Sequence, residues 1–333
     1  METLADRPRF DLYAGFMHDV IKEFGFQWHV TDHCNLRCAH CYQDDFSRHS
    51  ERTVAALCTV ADKIFDGLKD RWVSVNLTGG EPLLYPGLLP LIEYLHTKEN
   101  LKEVHLITNG TVSKERLLRE IGKFPKVDLL KVSLESADAS INDGIRGKGN
   151  LGIVRNNLGR YKELTGKRVV LMCTLARHNA ASIPEFVRFA RNEAAAGVIF
   201  ERFVPLGRGR DIEEEVLNED EWRETVASIC LQAGYHIEPE ELASFRALWL
   251  WTDHLRAEKE CLLAARCNLG AASMALMPNG DVYPCRRLPL VLGNILRDSV
   301  EDILPCLGEY EDPGVTGCRA LFHAAGLDVD AEI

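Results

Sequence analysis

Residues 26–44 read FQWHVTDHCNLRCAHCYQD. The first part, Phe26–Thr31, is a short apolar run with the length and composition of a buried strand. The next residues are too polar to extend it and carry Cys34, Cys38 and Cys41 in a C-x3-C-x2-C array. Three thiolates on one loop can close round a single metal centre, and thiolates suit zinc or an iron–sulfur cluster. The array alone leaves both open. A structural zinc would take a fourth ligand, with His33 or His40 at hand. A cubane held by three cysteines would instead keep one iron free for another molecule.

Outward from this loop, there are five more runs of strand length: Val73–Thr78, Val104–Thr108, Leu129–Leu134, Arg168–Thr174 and Val198–Val204. They alternate with amphipathic stretches at Thr53–Leu68, Leu88–His96, Lys114–Ile121, Val154–Leu164 and Ile183–Ala194. In the first of these, Val54, Leu57, Val60, Ala61, Ile64, Phe65 and Leu68 recur at helical spacing. Six β/α units imply an α/β fold with a parallel sheet and right-handed crossovers, whose site lies at the C-terminal ends of the strands. After Pro205-Leu-Gly-Arg-Gly the character changes. Asp211–Glu221 reads as an acidic loop, Glu221–Ala233 as a helix and Phe245–Leu255, rich in Trp and Leu, as another. Ser273–Met277, Pro278-Asn-Gly-Asp281 and Val282–Cys285 form a β-hairpin pattern.

Composition excludes several classes. With 46% hydrophobic and 27% charged residues among 333, the chain can bury a sizeable core. No apolar run reaches the ~18–20 residues that a membrane helix needs, and the N-terminus lacks a secretory pattern. A net charge of −11 with no basic stretch argues against an electrostatic nucleic-acid binder. Eleven cysteines, an odd number without a signal peptide, point to metal or buried thiols rather than disulfides. Cys58, Cys173 and Cys230 lie in apolar stretches and read as core thiols.

After the second strand comes Thr78-Gly79-Gly80-Glu81-Pro82, where paired glycines let backbone approach a ligand beside a carboxylate. Together with the cysteine array, this resembles the radical S-adenosylmethionine (radical SAM) superfamily, over roughly Phe26–Leu206. The resemblance implies a partial (β/α)6 TIM-like barrel. It also implies a 4Fe–4S cluster on Cys34, Cys38 and Cys41 whose open iron chelates S-adenosylmethionine, and contacts from Gly79, Gly80 and Glu81 to the methionine amino group. Ser133 and Glu135 stand where the family often binds ribose or methionyl groups, with Glu135 in place of a frequent Asp. Arg146, in Gly-Ile-Arg-Gly, resembles an arginine that meets the methionine carboxylate, and Asn109 of Thr108-Asn109-Gly110 ends the third strand on the same rim.

Cys261, Cys267 and Cys285 form C-x5-C-x17-C, with Leu292-Gly-Asn-Ile, a short helix through Ile303, and Cys318 beyond them. This region resembles the SPASM and Twitch extensions of peptide-modifying radical enzymes. It departs from a full SPASM domain in lacking the later Cys-rich stretch, so the resemblance implies one auxiliary 4Fe–4S cluster on Cys261, Cys267, Cys285 and Cys318. Cys306, or an open site, is the alternative to Cys318. The expected division is an N-terminal extension over 1–25, the barrel over 26–209, a helical linker over 210–260 and a Twitch or truncated SPASM domain over 261–333.

The resemblance implies an oxidoreductase-type enzyme that uses a 5′-deoxyadenosyl radical to abstract hydrogen, reduced by a flavodoxin- or ferredoxin-type donor. Its leading substrate is a ribosomally made peptide or protein side chain, with a thioether, a carbon–carbon crosslink or an oxidation as product. About 25 residues before the first strand are too few for a fused recognition domain, so a separate leader-peptide-binding protein is expected. A small molecule, through alcohol dehydrogenation or tetrapyrrole side-chain modification, is the alternative substrate. Oxygen-labile clusters and reduced thiols point to a cytoplasmic enzyme. Phe203, Arg202, Arg208, Trp249 and Trp251 read as pocket lining or as core, and no general base is assignable.

Overall fold

Phe24, Phe26 and Trp28 alternate with Gly25, Gln27 and His29 along the first strand, and that alternation divides the molecule into its two sides. The computed structural model describes residues 23–234, 247–252, 261–265 and 272–308, with backbone alone for 261, 263–265 and 308. Six strands run parallel in chain order: β1 (Glu23–His29), β2 (Trp72–Thr78), β3 (Leu101–Thr108), β4 (Val127–Ser133), β5 (Arg168–Leu175) and β6 (Gly197–Arg202). Helices α1 (Val54–Gly67), α2 (Leu88–Leu95), α3 (Glu115–Gly122), α4 (Ala139–Arg146), α5 (Asn150–Thr165), α6 (Arg177–Ala180) and α7 (Ile183–Asn192) connect them.

Helix α1 shows why the pattern folds this way. Thr53 caps it by accepting from the Ala56 amide, and Leu57, Val60, Ala61, Ile64 and Phe65 form its buried stripe. That stripe meets Phe24, Phe26 and Trp28 in a core continuous under the other helices. Full burial of each such side chain contributes roughly 1.5–3 kcal/mol. The opposite strand face, including Gln27, Asn76, Lys131, Met172 and Ile199, lines an internal cavity. The sheet is thus a mixed α/β partial barrel, as the alternation of strands and helices implied.

Phe245–Leu255 is not a helix where it is described. Ala247–Trp251 is a strand, β7, antiparallel to β6, with Leu248 and Leu250 in the outer core and Trp249 turned to the cavity. Both faces are covered, so the polar alternation that marks a half-exposed strand is missing, and periodicity cannot separate such a run from a buried helix. Strand β8 (Cys261–Ala265) pairs antiparallel with β7. The acidic stretch also differs: Gly207–Glu215 is wound as 3-10 turns broken at Ile212, before α8 (Glu219–Gln232), which Asn218 and Glu221 cap reciprocally.

The hairpin pattern forms β9 (Ser273–Leu276) and β10 (Asp281–Tyr283), and beyond it lie β11 (Gly293–Asn294) and α9 (Val300–Gly308). Strand β9 pairs in parallel with β1, joining the hairpin to the barrel sheet. The resulting order is β11-β10-β9-β1-β2-β3-β4-β5-β6-β7-β8.

Candidate active site

The loop that leaves β1 crosses the C-terminal rim of the sheet. Cys34 is buried, Cys38 and Cys41 are half-buried, and all three line one cavity of about 410 Å³. Backbone contacts hold the loop from several sides: Ala39 N donates to Ile145 O at 2.9 Å and Gly209 N to Cys41 O at 3.1 Å. Behind it passes Gly207, at φ +54, where a Cβ would stand 2.4 Å from the Tyr42 carbonyl carbon. Only glycine lets these two segments approach so closely.

Donors face the sulfurs. Leu36 N lies 3.4 Å and Asn109 Nδ2 3.7 Å from Cys34 Sγ, and Arg146 Nη1 lies 3.9 Å from Cys38 Sγ. Burial, with Glu81 adding to it, still pushes the Cys34 thiol up to about 11; burial also raises Cys38 and Cys41. The bare thiols are therefore protonated at neutral pH, and a cation among them is what would make them thiolates. Three sulfurs on one loop, flanked by donors and facing a cavity, fit an iron–sulfur cluster.

The Gly79-Gly80-Glu81 turn packs directly beneath this loop. Gly80 N donates to Thr31 O at 2.7 Å and Glu81 N to His33 O at 2.8 Å. A Cβ on Gly80 would stand 2.4 Å from the carbonyl oxygens of Asp32 and His33, and Gly79 holds φ +144. Both glycines line the cavity. Glu81 is placed differently: fully buried, it accepts from Thr108 Oγ1 at 2.8 Å, Asn109 N at 2.7 Å and Leu83 N at 3.0 Å. Burial outweighs those donors and raises its carboxyl to about 7.

Ser133 and Arg146 line the cavity, and Asn109 sits on its wall against Cys34. Glu135 lies behind it, 1% exposed. Its carboxylate pairs with Arg146, lies 3.3 Å from His40 Nε2 and accepts from Thr174 N at 2.7 Å. Burial would raise it, but Arg146 and His40 prevail and hold it at about 2.

Cys285, in the loop after β10, lines the same cavity. The neighbouring Arg286 lies over the Tyr42 ring at 4.2 Å and donates to Tyr42 O at 3.2 Å, so the two cysteine loops touch. Cys267 and Cys318 lie outside the described residues. Cys261 opens β8 opposite Trp251, at the end of the strand away from Ala265, which pairs with Ala247. Cys306, on α9, has its sulfur 3.6 Å from Asp302 O and is not part of the cavity wall. Cys173 and Cys230 are buried, whereas Cys58 is half-buried.

Of the aromatic and basic residues singled out in the sequence, Phe203, Arg202 and Trp249 line the cavity. Trp251 packs with Leu129, Val170, Ala196 and Ile199 instead, and Arg208 Nε lies 3.4 Å from Cys38 O. Sequence reasoning passed over Lys131, Asn76, Glu201 and Arg287, which also form the wall. Lysine within the apolar Leu129–Ser133 run was the available signal for the first of them.

Comparisons with known proteins agree with this arrangement. The radical SAM superfamily model matches residues 28–190, and the iron–sulfur cluster-binding SPASM model matches 267–314, a span that contains Cys267, Cys285 and Cys306. The chain is 26% identical over 279 residues to the antilisterial bacteriocin subtilosin biosynthesis protein AlbA of Bacillus subtilis, covering 82% of this chain but 58% of that protein. It is 25% identical over 324 residues to the mycofactocin maturase MftC of Mycobacterium ulcerans, covering 94% and 84%. The fold resembles SuiB of Streptococcus suis in complex with its precursor peptide SuiA, with TM-score 0.64 at 15% identity over 88% of this chain and 66% of that one. Among the described residues no helix is long and apolar enough to cross a membrane.

Proposed function

We propose that this chain, which belongs to the radical SAM superfamily and carries a SPASM-type cluster domain, is a maturase that modifies a ribosomally made peptide. The observation that carries this is the shared cavity: the Cys34–Cys41 loop and the Cys285 loop open onto one chamber. The roles of two relatives, bacteriocin biosynthesis and mycofactocin maturation, favour a peptide substrate.

When bound, S-adenosylmethionine and a reduced 4Fe–4S cluster supply a 5′-deoxyadenosyl radical able to take hydrogen from an unactivated carbon. Cys34, Cys38 and Cys41 hold that cluster, while the backbone of Gly79 and Gly80, with Asn109 and Ser133, shapes the seat beside it. Arg146, fixed by Glu135, presents its cation to the same seat and suits the methionine carboxylate. Cys267 and Cys285 hold an auxiliary cluster. Cys261 joins them, since its pairing with Trp251, the partner of Gly197, puts it at the end of the sheet toward which β10 runs before Cys285, and Cys318 is the proposed further ligand over Cys306, which stands off the cavity wall. A flavodoxin- or ferredoxin-type donor, a separate leader-binding protein and a cytoplasmic setting complete the proposal.

The test uses anaerobically reconstituted enzyme, a strong reductant and any short peptide found encoded beside its gene. The expected result is 5′-deoxyadenosine together with a mass change of the peptide. Replacing Cys34, Cys38 and Cys41 by Ala should remove about four irons and abolish both products. Iron content unchanged in that variant, or no 5′-deoxyadenosine from enzyme with a full first cluster, would sink the reading.

A further inference from the structure

The floor of the cavity carries a charge that neither cysteine loop uses. Lys131 lies on β4 two residues before Ser133, about 6.6 Å below the rim at ~3.3 Å per residue. It is 5% exposed and lines the cavity. An ammonium has three N–H donors. Asn76 Oδ1 accepts from Nζ at 2.8 Å, and the Trp249 ring stands 4.7 Å from it.

The carboxylates around Lys131 are already engaged. Glu201 pairs with Arg287 at 2.7 Å, Asp128 with Arg168 at 2.8 Å, and Glu103 lies 3.6 Å from His105 Nε2. Burial outweighs their combined pull and draws the ammonium down to about 8. Lysines are seldom this buried without a paired anion. Among the described residues the wall is cationic: Lys131, Arg146, Arg202, Arg286 and Arg287 face it, against Glu201 as the one carboxylate. Arg146 and Arg286 serve the cysteine loop through Cys38 and Tyr42. Lys131 stands apart from that loop, with Met172, Ile199 and Ile107 on the adjoining wall.

We propose that Lys131, with Asn76 and Trp249, forms a carboxylate subsite at the floor of the chamber, so that the group presented for modification carries a carboxylate. The two remaining N–H donors of Lys131 take its oxygens in charge-assisted bonds, and the apolar neighbours cover the methylenes behind it. An Asp or Glu side chain and a free chain terminus share this chemistry. The subsite rests on the reading of the cavity as the reaction chamber, and it determines specificity: a substrate lacking the carboxylate leaves the buried ammonium without its partner.

The test is calorimetric titration of anaerobic holoenzyme holding S-adenosylmethionine. Four probes are used: a capped peptide of four glycines round a central glutamate, its glutamine analogue, pentaglycine with a free carboxyl end, and glutarate. The glutamate or the free-carboxyl peptide should bind at least about ten-fold more tightly than the glutamine peptide, about 1.4 kcal/mol. Whichever of the two does so identifies the source of the carboxylate. The preference should vanish in K131M and persist in K131R. Substituting an under-satisfied buried charge by an apolar side chain should leave the melting temperature unchanged or higher, and K131Q serves if K131M does not fold. Glutarate binding without either carboxylate peptide would keep the subsite and overturn the peptide reading. Equal binding of all three peptides, a preference surviving K131M, or no binding by any probe would overturn the subsite.

Discussion

Glu135→Gln removes one half of the buried pair that holds Arg146 in place. The carboxylate and guanidinium are 1% and 7% exposed, so neither can turn to water when its partner is lost. A carboxyl held at about 2 against an ordinary 4.5 corresponds to about 3 kcal/mol at 1.36 kcal/mol per pH unit. An independent measure, removal of one partner from a buried ion pair, gives roughly 3–5 kcal/mol. At 2–4 °C per kcal/mol for a chain of this size, E135Q should melt roughly 6–12 °C lower. The carboxyl is depressed on folding, so its contribution is full above the ordinary value of 4.5 and fades as pH falls from there toward about 2. The deficit of E135Q should therefore be constant between pH 7 and 5.

The assay is thermal melting of anaerobic wild type, E135Q, R146M and the double variant. With both charges gone, no orphan is left, and the double variant should lose clearly less than the summed single losses. A coupling below about 0.5 kcal/mol would mean that the pair is incidental to stability and refute the reasoning. Arg146 Nη1 is 3.9 Å from Cys38 Sγ, so E135Q should also alter S-adenosylmethionine affinity in equilibrium dialysis.

Gly80→Ala sets a methyl 2.4 Å from two backbone oxygens of the cysteine loop, so it should lower first-cluster iron sharply, with overpacking of about 1–3 kcal/mol; iron assay and melting check both. Asn294, 7% exposed, donates to Asn279 O and Asp281 Oδ1 and accepts from Leu296 N. N294A should cost about 1–3 kcal/mol and loosen the loop bearing Cys285, read as partial loss of auxiliary iron. Cys285→Ala should remove about four irons yet leave uncoupled 5′-deoxyadenosine formation; loss of that activity would place Cys285 at the first cluster instead.

The parallel strands were legible because each is a short apolar run between amphipathic helices, and all six lie within a few residues of their expected bounds. The cysteine array and the glycine pair were legible because local spacing alone places them on one rim. The closing strands were not. In Ala247–Trp251 both faces are covered, so the sequence carries no alternation to read, and the parallel pairing of β9 with β1 joins segments nearly 250 residues apart. Short-range pattern holds no record of such a pairing. Lys131 was overlooked for a related reason: one charge inside an apolar strand gains meaning only once Asn76 and Trp249, from β2 and β7, are placed round it.

Two buried carboxylates show how far a motif's position can diverge from its work. Glu81 and Glu135 both stand at the rim, where sequence reading makes each a ligand of the cofactor. In the fold Glu81 ties the end of β2 to the turn after β3 through Thr108 and Asn109, and Asn109 reaches on to Cys34. Glu135 ties the segment after β4 to β5 through Thr174, to α4 through Arg146 and to the cysteine loop through His40. Their environments differ in whether a cation pairs directly with the carboxylate. At Glu81 three neutral donors and a weaker pull from Arg146 leave burial dominant, and the carboxyl rises to about 7, while Arg146 and His40, in direct contact, carry Glu135 to about 2. Glu135 must therefore remain charged for its pair to hold, whereas Glu81 is near balance and can keep its contacts in either state, with a proton as a donor of its own. E81Q turns one accepting oxygen into an NH2 group against the Leu83 or Asn109 amide, a cost of about 1–3 kcal/mol, and should still be tolerated better than E135Q, which leaves Arg146 without its carboxylate. Comparable losses of melting temperature in the two variants would show that local hydrogen bonds, rather than the paired cation, set the cost.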